Sequence, residues 1–491
     1  MSSNWEFVRL GDHCSKIGSG ATPKGGKNVY LESGDVALIR SQNIYNEGFK
    51  QGGLAYITNS AAEKLENVCV LAGDILLNIT GDSVARVCLA PNKYLPARVN
   101  QHVAIIRPDA NVFDSRFLRY YLSSPAQQNI LLTIASAGAT RNALTKGNIE
   151  ELKVVKPMLS VQKWIADQLE SLDRKIEVNR QINQILEQMA QALFKSWFVD
   201  FEPVKAKIAV LESGGSQEEA MLAAMTAISG KDADALAVFE REHPEQYAEL
   251  KSTAELFPSV MLESELGGIP EGWEFQPFGE LLSHTIGGDW GKDESDDKHK
   301  MPVRIIRGTD IPNIKSCQDS NVPFRYVEEK KLKTRSLNAG DIVIEVSGGS
   351  PTQPTGRSIY VTDEILKRLS LPVEPASFCR LFRPKSKELG MVLGLHLEKI
   401  YQDGETWLYQ NQSTGISNFQ TKVFLENEMV AVAPSEILKL FYKAMLPFVK
   451  LMHSSENIKL TQLRDTLLPK LLSGEITLPE AEQAVSEAEN V

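Results

Sequence analysis

The chain has 491 residues, and its 53 Lys+Arg against 63 Asp+Glu give a formal net charge of −10. That length exceeds one hydrophobic core and implies about two to four domains. A hydrophobic content of 42% with 24% charged residues excludes a fibrous or disordered chain, and the acidic excess speaks against nucleic acid as a partner unless it is unevenly spread.

Residues 1–157 carry short apolar runs bounded by turn residues: Asp35-Val-Ala-Leu-Ile39, Asp74-Ile-Leu-Leu-Asn-Ile79 and Val103-Ala-Ile-Ile106. They predict strands, with a helix over Ser115–Leu122. Segment 158–200 is different. From Ser160 to Phe198 there is no Pro and no Gly. Ile165, Leu169, Leu172, Ile176, Ile182, Leu186, Met189, Leu193 and Trp197 form one stripe at three- and four-residue steps. Such a helix spans roughly 55–60 Å. Asn179 and Asn183 lie on or beside the stripe, where a polar residue fixes register. Segment 201–264 is acidic, Ala-rich and interrupted by Ser213-Gly-Gly-Ser216, which predicts a connector of short helices.

Residues 265–434 then repeat the first domain. Trp5-Glu6-Phe7 with Gly11 recurs as Trp273-Glu274-Phe275 with Gly279, and Ala72-Gly73-Asp74-Ile75 as Ala339-Gly340-Asp341-Ile342. Arg107-Pro108 recurs as Arg383-Pro384, and Asn142 as Asn418. The offset drifts from 268 to 276 with the order kept, so the domain is duplicated. Segment 435–478 predicts a second long helix, kinked at Pro447 and stopped by Gly474. An acidic tail, 479–491, is expected to fray. The fold class expected is α+β: two β-rich domains, separated by two long helices paired antiparallel with pseudo-two-fold symmetry.

Catalytic patterns are missing. The chain has no His-Glu-x-x-His, no Gly-x-Ser-x-Gly, no Asn-Pro-Pro-Tyr and no Gly-rich methyl-donor loop. Gly20–Lys27 matches a phosphate loop only loosely, and Asp341 with Glu345 lacks the lysine of a nuclease strand. The five cysteines are scattered without a Cys-x-x-Cys pair, which fits a reducing cytoplasm and no metal site. No secretion signal and no apolar run of about 18 residues is seen, so a cytoplasmic chain without membrane association is expected.

Polar loops are present in both copies. The first holds Lys24, Lys27, Arg40, Gln42, Asn43, Arg86, Arg98, Asn100, Gln101 and Arg141. The second holds Lys292, Arg307, Thr309, Thr352, Gln353, Arg357, Gln410 and Asn411. Arg suits guanine, Asn and Gln suit adenine, and Lys and Thr suit phosphates, so these residues are the candidate DNA contacts. Charge is indeed uneven: residues 1–157 sum to +4, the connector 201–264 to −7 and residues 265–434 to −4. The acidic loop from Asp289 to Asp297 is expected to point away from DNA. A scaffold that reads no DNA is the competing reading.

Several motifs are specific. Ala192-Leu-Phe-Lys-Ser-Trp-Phe-Val-Asp-Phe201, Ser264-Glu-Leu-Gly-x-Ile-Pro-x-Gly-Trp273 and Leu463-Arg-Asp-x-Leu-Leu-Pro-Lys-Leu-Leu-Ser-Gly474 resemble those of type I restriction–modification specificity subunits. The resemblance implies two target recognition domains, each reading half of a bipartite double-stranded DNA site. It implies helices that set the unread gap and dock two modification subunits. S-adenosylmethionine would be held by those methyltransferase subunits and no cofactor by this chain. Restriction subunits, with translocase and nuclease activity, would join later, and the chain itself would be non-catalytic. Trp164, Leu193, Trp197, Phe198, Leu463 and Leu467 are the residues expected to meet the partner helices.

Overall fold

The computed structural model describes residues 5–137, 142–349, 353–413 and 416–475; the fraying expected of 479–491 lies outside them. The chain falls into two compact units, Met1–Glu177 with Lys459–Val491, and Val178–Ile458. The six segments read from sequence are thus regrouped, because each long helical segment contributes to both units.

In the first unit an antiparallel sheet has the order Cys14–Ser19, Val103–Pro108, Ile75–Asn78, Val87–Leu89. Its strands read as apolar runs because both faces are buried. Ile75, Leu77, Ala104 and Ile106 enter one core, while Leu76, Val103 and Ile105 enter another. A second sheet has the order Ala55–Ile57, Val36–Ile39, Ala97–Val99, Cys69–Val70, and its middle pair is parallel. Phe7–Arg9 pairs with Lys153–Val155, joining the two ends of the domain.

The second unit repeats this plan. Leu282–Gly287, Cys379–Pro384, Ile342–Glu345 and Ser358–Tyr360 form the antiparallel sheet. Phe324–Glu328, His299–Ile306 and Val373–Pro375 form the other, again with a parallel pair. Glu274–Pro277 pairs with Met429–Val432. The repeated motifs have structural roles. Asp74 accepts from Arg107 at 2.7 and 2.8 Å and from the Leu71 amide at 2.7 Å. Asp341 accepts from Arg383 at 2.8 and 2.7 Å and from the Asn338 amide at 2.7 Å. A bidentate pair with a turn amide thus locks the same corner twice. Gly20 and Gly288 are a further matched pair. A Cβ on Gly20 would sit 2.2 Å from the Val99 carbonyl oxygen, and one on Gly288 2.2 Å from that of Pro375, so only glycine fits.

The long helix is Leu159–Phe198. In the first unit its Ile165, Leu169, Leu172 and Ile176 share a core with Leu460, Leu467, Leu468 and Leu471, and Asp173 pairs with Arg464 at 2.8 Å. In the second unit Asn183 donates to the Met452 carbonyl at 3.3 Å, and Trp197 lies 5.5 Å from Phe441. The residue numbers run oppositely there, so that pairing is antiparallel. The distal segment departs from expectation. It is two helices, Ser435–Met452 and Glu456–Ser473. Pro447 stays inside the first, and the interruption falls at 453–455. Ser454 and Ser455 compete for backbone partners and favour helix ends. Asn183 meets an open terminal carbonyl at this break, and Asn179 bonds Asn457 at 3.0 Å just after it. Gly474, with φ of 70°, ends the second helix.

The connector holds four helices, Glu202–Glu212, Gln217–Ser229, Ala233–Glu242 and Pro244–Glu255. Ser216 and Glu219 form a capping box before the second of them. Ala224, Met225, Leu236 and Ala254 give these helices a small core.

Candidate nucleic-acid interface

Backbone bonds bring the polar loops of the first domain to one place. The Asn100 amide donates to Ile39, the Asn78 amide to Arg86, the Ile79 amide to His102, and the Gly81 amide to Asn142. The Asn78 side chain donates to Ser41 at 2.9 Å. Loops that start at residues 40, 79, 100 and 142 therefore meet at a single end of the two sheets. The second domain repeats the pattern: Ala376 donates to Ile306, Glu345 to Arg357, Val346 to Phe378, and Phe419 to Val346.

Some sequence candidates present polar groups there. Gln42 and Gln101 are exposed, and Arg40 and Arg86 are half-buried. Arg40 lies 5.3 Å over the Tyr30 ring and donates to the Gly53 carbonyl, as does Gln42 at 3.0 Å. Arg86 and Lys50 lie 4.7 and 4.1 Å from the same Tyr45 ring. Among the described residues none of Arg40, Lys50 and Arg86 meets a carboxylate. Two cations sharing one ring repel each other, and a phosphate beside them relieves that repulsion. Lys24 is exposed in the loop that follows Cys14–Ser19. Lys27 belongs to the short turn Gly26–Val29, and Arg141 lies outside the described residues.

Other candidates are corrected. Asn43 is buried, and its side chain bonds the Arg40 amide and the carbonyls of Lys50 and Gly52, which shapes the turn. Arg98 is 6% exposed, donates to the Ala62 carbonyl and pairs with Glu66 at 2.5 Å. Asn100 is buried and accepts from the His102 amide at 3.2 Å. In the second domain Arg357 is held by buried Glu345 at 2.6 and 2.8 Å. These four side chains are engaged by the fold. Arg107 and Arg383 are held in the same way, by buried Asp74 and Asp341.

The rest of the second set is divided. Lys292 and Thr309 are exposed. Arg307 pairs with Asp310 at 2.7 Å and donates to the Asn321 carbonyl at 3.0 Å, with 40% of its side chain still exposed. Gln353 donates to the Tyr401 hydroxyl at 3.3 Å, and exposed Asn411 lies opposite Asn418 in a sheet pair. The side-chain nitrogen and oxygen of Gln410 are buried without a partner. Thr352 lies outside the described residues. Part of the acidic loop is paired locally: Asp289 meets Lys331 at 2.9 Å and Asp293 meets Arg325, while the His299 ring lies 2.8 Å from Asp296. Arg325 also lies 4.5 Å over Trp290. The interleaved aromatic and basic residues Tyr30, Tyr45, Lys50 and Arg325 were not among the sequence candidates.

Three residues of the partner-facing set are covered within this chain. Trp197 is 2% and Phe198 5% exposed, packed with Phe257, Trp273 and Phe441. Leu467 is buried in the first unit's core. Trp164 and Leu463 pack partly against that same core, and Leu193 against the second unit's. The apolar residues left outward on the helix are Val178, Ile182, Ile185 and Met189. Their spacing of four, three and four puts them on one face.

Among the described residues no helix is long and apolar enough to cross a membrane, and no group of side chains could hold a metal ion. Residues 2–188 match the type I restriction modification DNA specificity domain. The type I restriction enzyme HindI specificity subunit of Haemophilus influenzae is 30% identical over 96% of this chain and 100% of its own length. The MjaIX specificity subunit of Methanocaldococcus jannaschii is 24% identical over 98% of this chain and 95% of its own. A solved type I restriction-modification S subunit from M. genitalium aligns over 96% of this chain and 97% of that one, with 14% identity and a TM-score of 0.47. The duplicated chain described here belongs to the family of type I restriction enzyme specificity subunits.

Proposed function

We propose that this DNA specificity subunit reads a bipartite target, one half with each β-rich domain, and has no catalytic activity of its own. The observation that carries this reading is the duplication of the loop-bearing end. The same amide-to-carbonyl bonds gather polar loops in both domains, so the chain has two equivalent places from which to reach base edges. The first works chiefly through unpaired cations, with Lys50 and Arg86 on phosphates and Gln42 and Gln101 toward bases. In the second, the arginines are engaged by carboxylates, so exposed Thr309 and Asn411 carry more of the contact. The helical segments fix the unread gap. Two modification subunits supply the S-adenosylmethionine chemistry, restriction subunits complete the complex, and the assembly works in the cytoplasm. Methylome sequencing of cells with and without the gene tests this. One gapped motif is expected to lose methylation when the chain is absent; an unchanged methylome, or loss of an ungapped motif, overturns the reading.

Docking of a modification subunit is assigned to the face of Val178, Ile182, Ile185 and Met189. Ile185 is 55% exposed, so a carboxylate there costs this chain little by itself. Ile185→Asp is expected to abolish co-purification with the methyltransferase subunit, while the circular dichroism and thermal midpoint of the free chain stay unchanged. Normal co-elution removes the role from this face.

A further inference from the structure

In the first domain the turn Asn100-Gln101-His102 bridges the two sheets, closed by the Val103 amide on the Asn100 carbonyl. In the second domain the Cys379 amide closes the turn Ala376-Ser377-Phe378 on the Ala376 carbonyl in the same way. The match extends to the neighbours, since His102 accepts from Ile79 as Phe378 accepts from Val346. The side chains at these matched positions differ. His102 is tied down by Thr80 at 2.6 Å. Phe378 is 65% exposed, the most exposed phenylalanine of the described chain.

Its position is rigid as well as exposed. The carbonyl of Phe378 accepts amides from both Val346 and Ser347, and the next residue, Cys379, is fully buried in strand Cys379–Pro384. Ser347 in turn bonds Asn418, which pairs across from Asn411. The backbone that carries this exposed ring is thus bonded to the strand pair of Ser347 and Asn418, at the end that faces DNA in the reading above. The nearby arginines are engaged by Asp310 and Glu345. Discrimination at this end therefore depends less on guanidinium contacts. The one apolar feature that distinguishes bases in the major groove is the thymine C5-methyl group, and Phe is suited to contact it.

We infer that Phe378 is a specificity-determining residue of the second domain that contacts a thymine methyl in its half-site. This rests on the bipartite reading above. The test uses the full chain assembled with its methyltransferase subunits and duplexes carrying the methylated motif. Each thymine of both half-sites is replaced singly by deoxyuridine, which removes only the methyl. For the natural complex one such replacement is expected to weaken binding about fourfold, the worth of one buried methyl. Phe378→Ala should bind the thymine duplex about fourfold more weakly and show no difference between thymine and uracil at that position. Phe378→Leu should keep part of the difference. Three results overturn the inference: a half-site pair without thymine, no thymine sensitive to replacement, or unchanged sensitivity in Phe378→Ala. An assembly that methylates no gapped motif instead defeats the underlying reading, and the inference falls with it.

Discussion

Trp197→Ala is expected to destabilise the second unit by about 3–5 kcal/mol, the usual cost of emptying a large aromatic site. The indole is 2% exposed. It stands edge-on to Phe257 at 5.0 Å and lies 5.5 Å from Phe441. Phe198 and Phe201 both pack on Trp273 in the same cluster, so one vacancy loosens residues from the long helix, the connector and the distal helix together. Surrounding rings that are already interlocked cannot collapse far into the gap, which puts the cost toward the upper part of that range. The change is read as a lower unfolding midpoint of the free chain. Partner binding should then fail as well, but only at temperatures where the unit has begun to unfold. Ile185→Asp gives the opposite pattern, a lost partner with an intact midpoint. If Trp197→Ala leaves the midpoint unchanged yet abolishes co-purification at low temperature, the aromatic cluster is an interface and its place in the core is wrong.

The fate of Trp197 shows where sequence reading reached its limit. The stripe from Ile165 to Trp197 was correctly taken as one helix, because a 3.6-residue period needs no tertiary knowledge. Which part of the stripe is covered cannot be told from the period alone. Trp197 and Phe198 look like partner anchors until Phe257 and Trp273, distant in sequence, are placed against them. Val178, Ile182, Ile185 and Met189 look the same in sequence yet receive no such cover. The repeat behaved differently. Asp74 with Arg107, and Asp341 with Arg383, were found as sequence matches and proved to be the same ion pair twice. Residues spaced that far apart recur together only when they act together. The polar loops lay between these cases. Their recurrence at matching places in both copies was legible, but their convergence on one end and the division into free and engaged side chains were not. Arg86 and Arg357 hold equivalent positions, and only the residue across the strand separates them. Asn78 leaves Arg86 to Tyr45, whereas Glu345 takes Arg357. The interruption at 453–455 was not legible beside the kink expected at Pro447, which lies inside Ser435–Met452; the serine pair after His453 favours helix ends.

His453 sits at that break and gives the chain a marked acid response. It is 8% exposed, its Nδ1 lies 3.2 Å from the Thr362 hydroxyl, and Arg368 donates to its carbonyl at 2.8 Å. Burial, with Arg368 and Lys315 nearby, lowers its pKa from 6.5 to about 3. The folded chain therefore keeps the imidazole neutral while the unfolded chain takes up a proton near pH 6.5. Between pH 6.5 and 3 the unfolded state binds more protons, so this contribution to stability falls as pH falls, by on the order of 1 kcal/mol per pH unit. Two carboxyls act the other way. Burial raises Glu374 from 4.5 to about 7, and burial beside Glu398 raises Glu187, so in the folded state they hold protons above the usual carboxyl range and favour folding as pH drops toward 4.5. The histidine is opposed by both above pH 4.5 and by neither below it. A comparison with His453→Asn isolates its share. Asparagine can keep the Thr362 bond but has nothing to titrate. At pH 7.5 the variant is expected to be the less stable chain in urea. Its deficit should shrink by on the order of 1 kcal/mol for each pH unit below 6.5. A deficit that stays constant from pH 7.5 to 4 means that His453 takes up its proton in the folded chain over the same range as in the unfolded one.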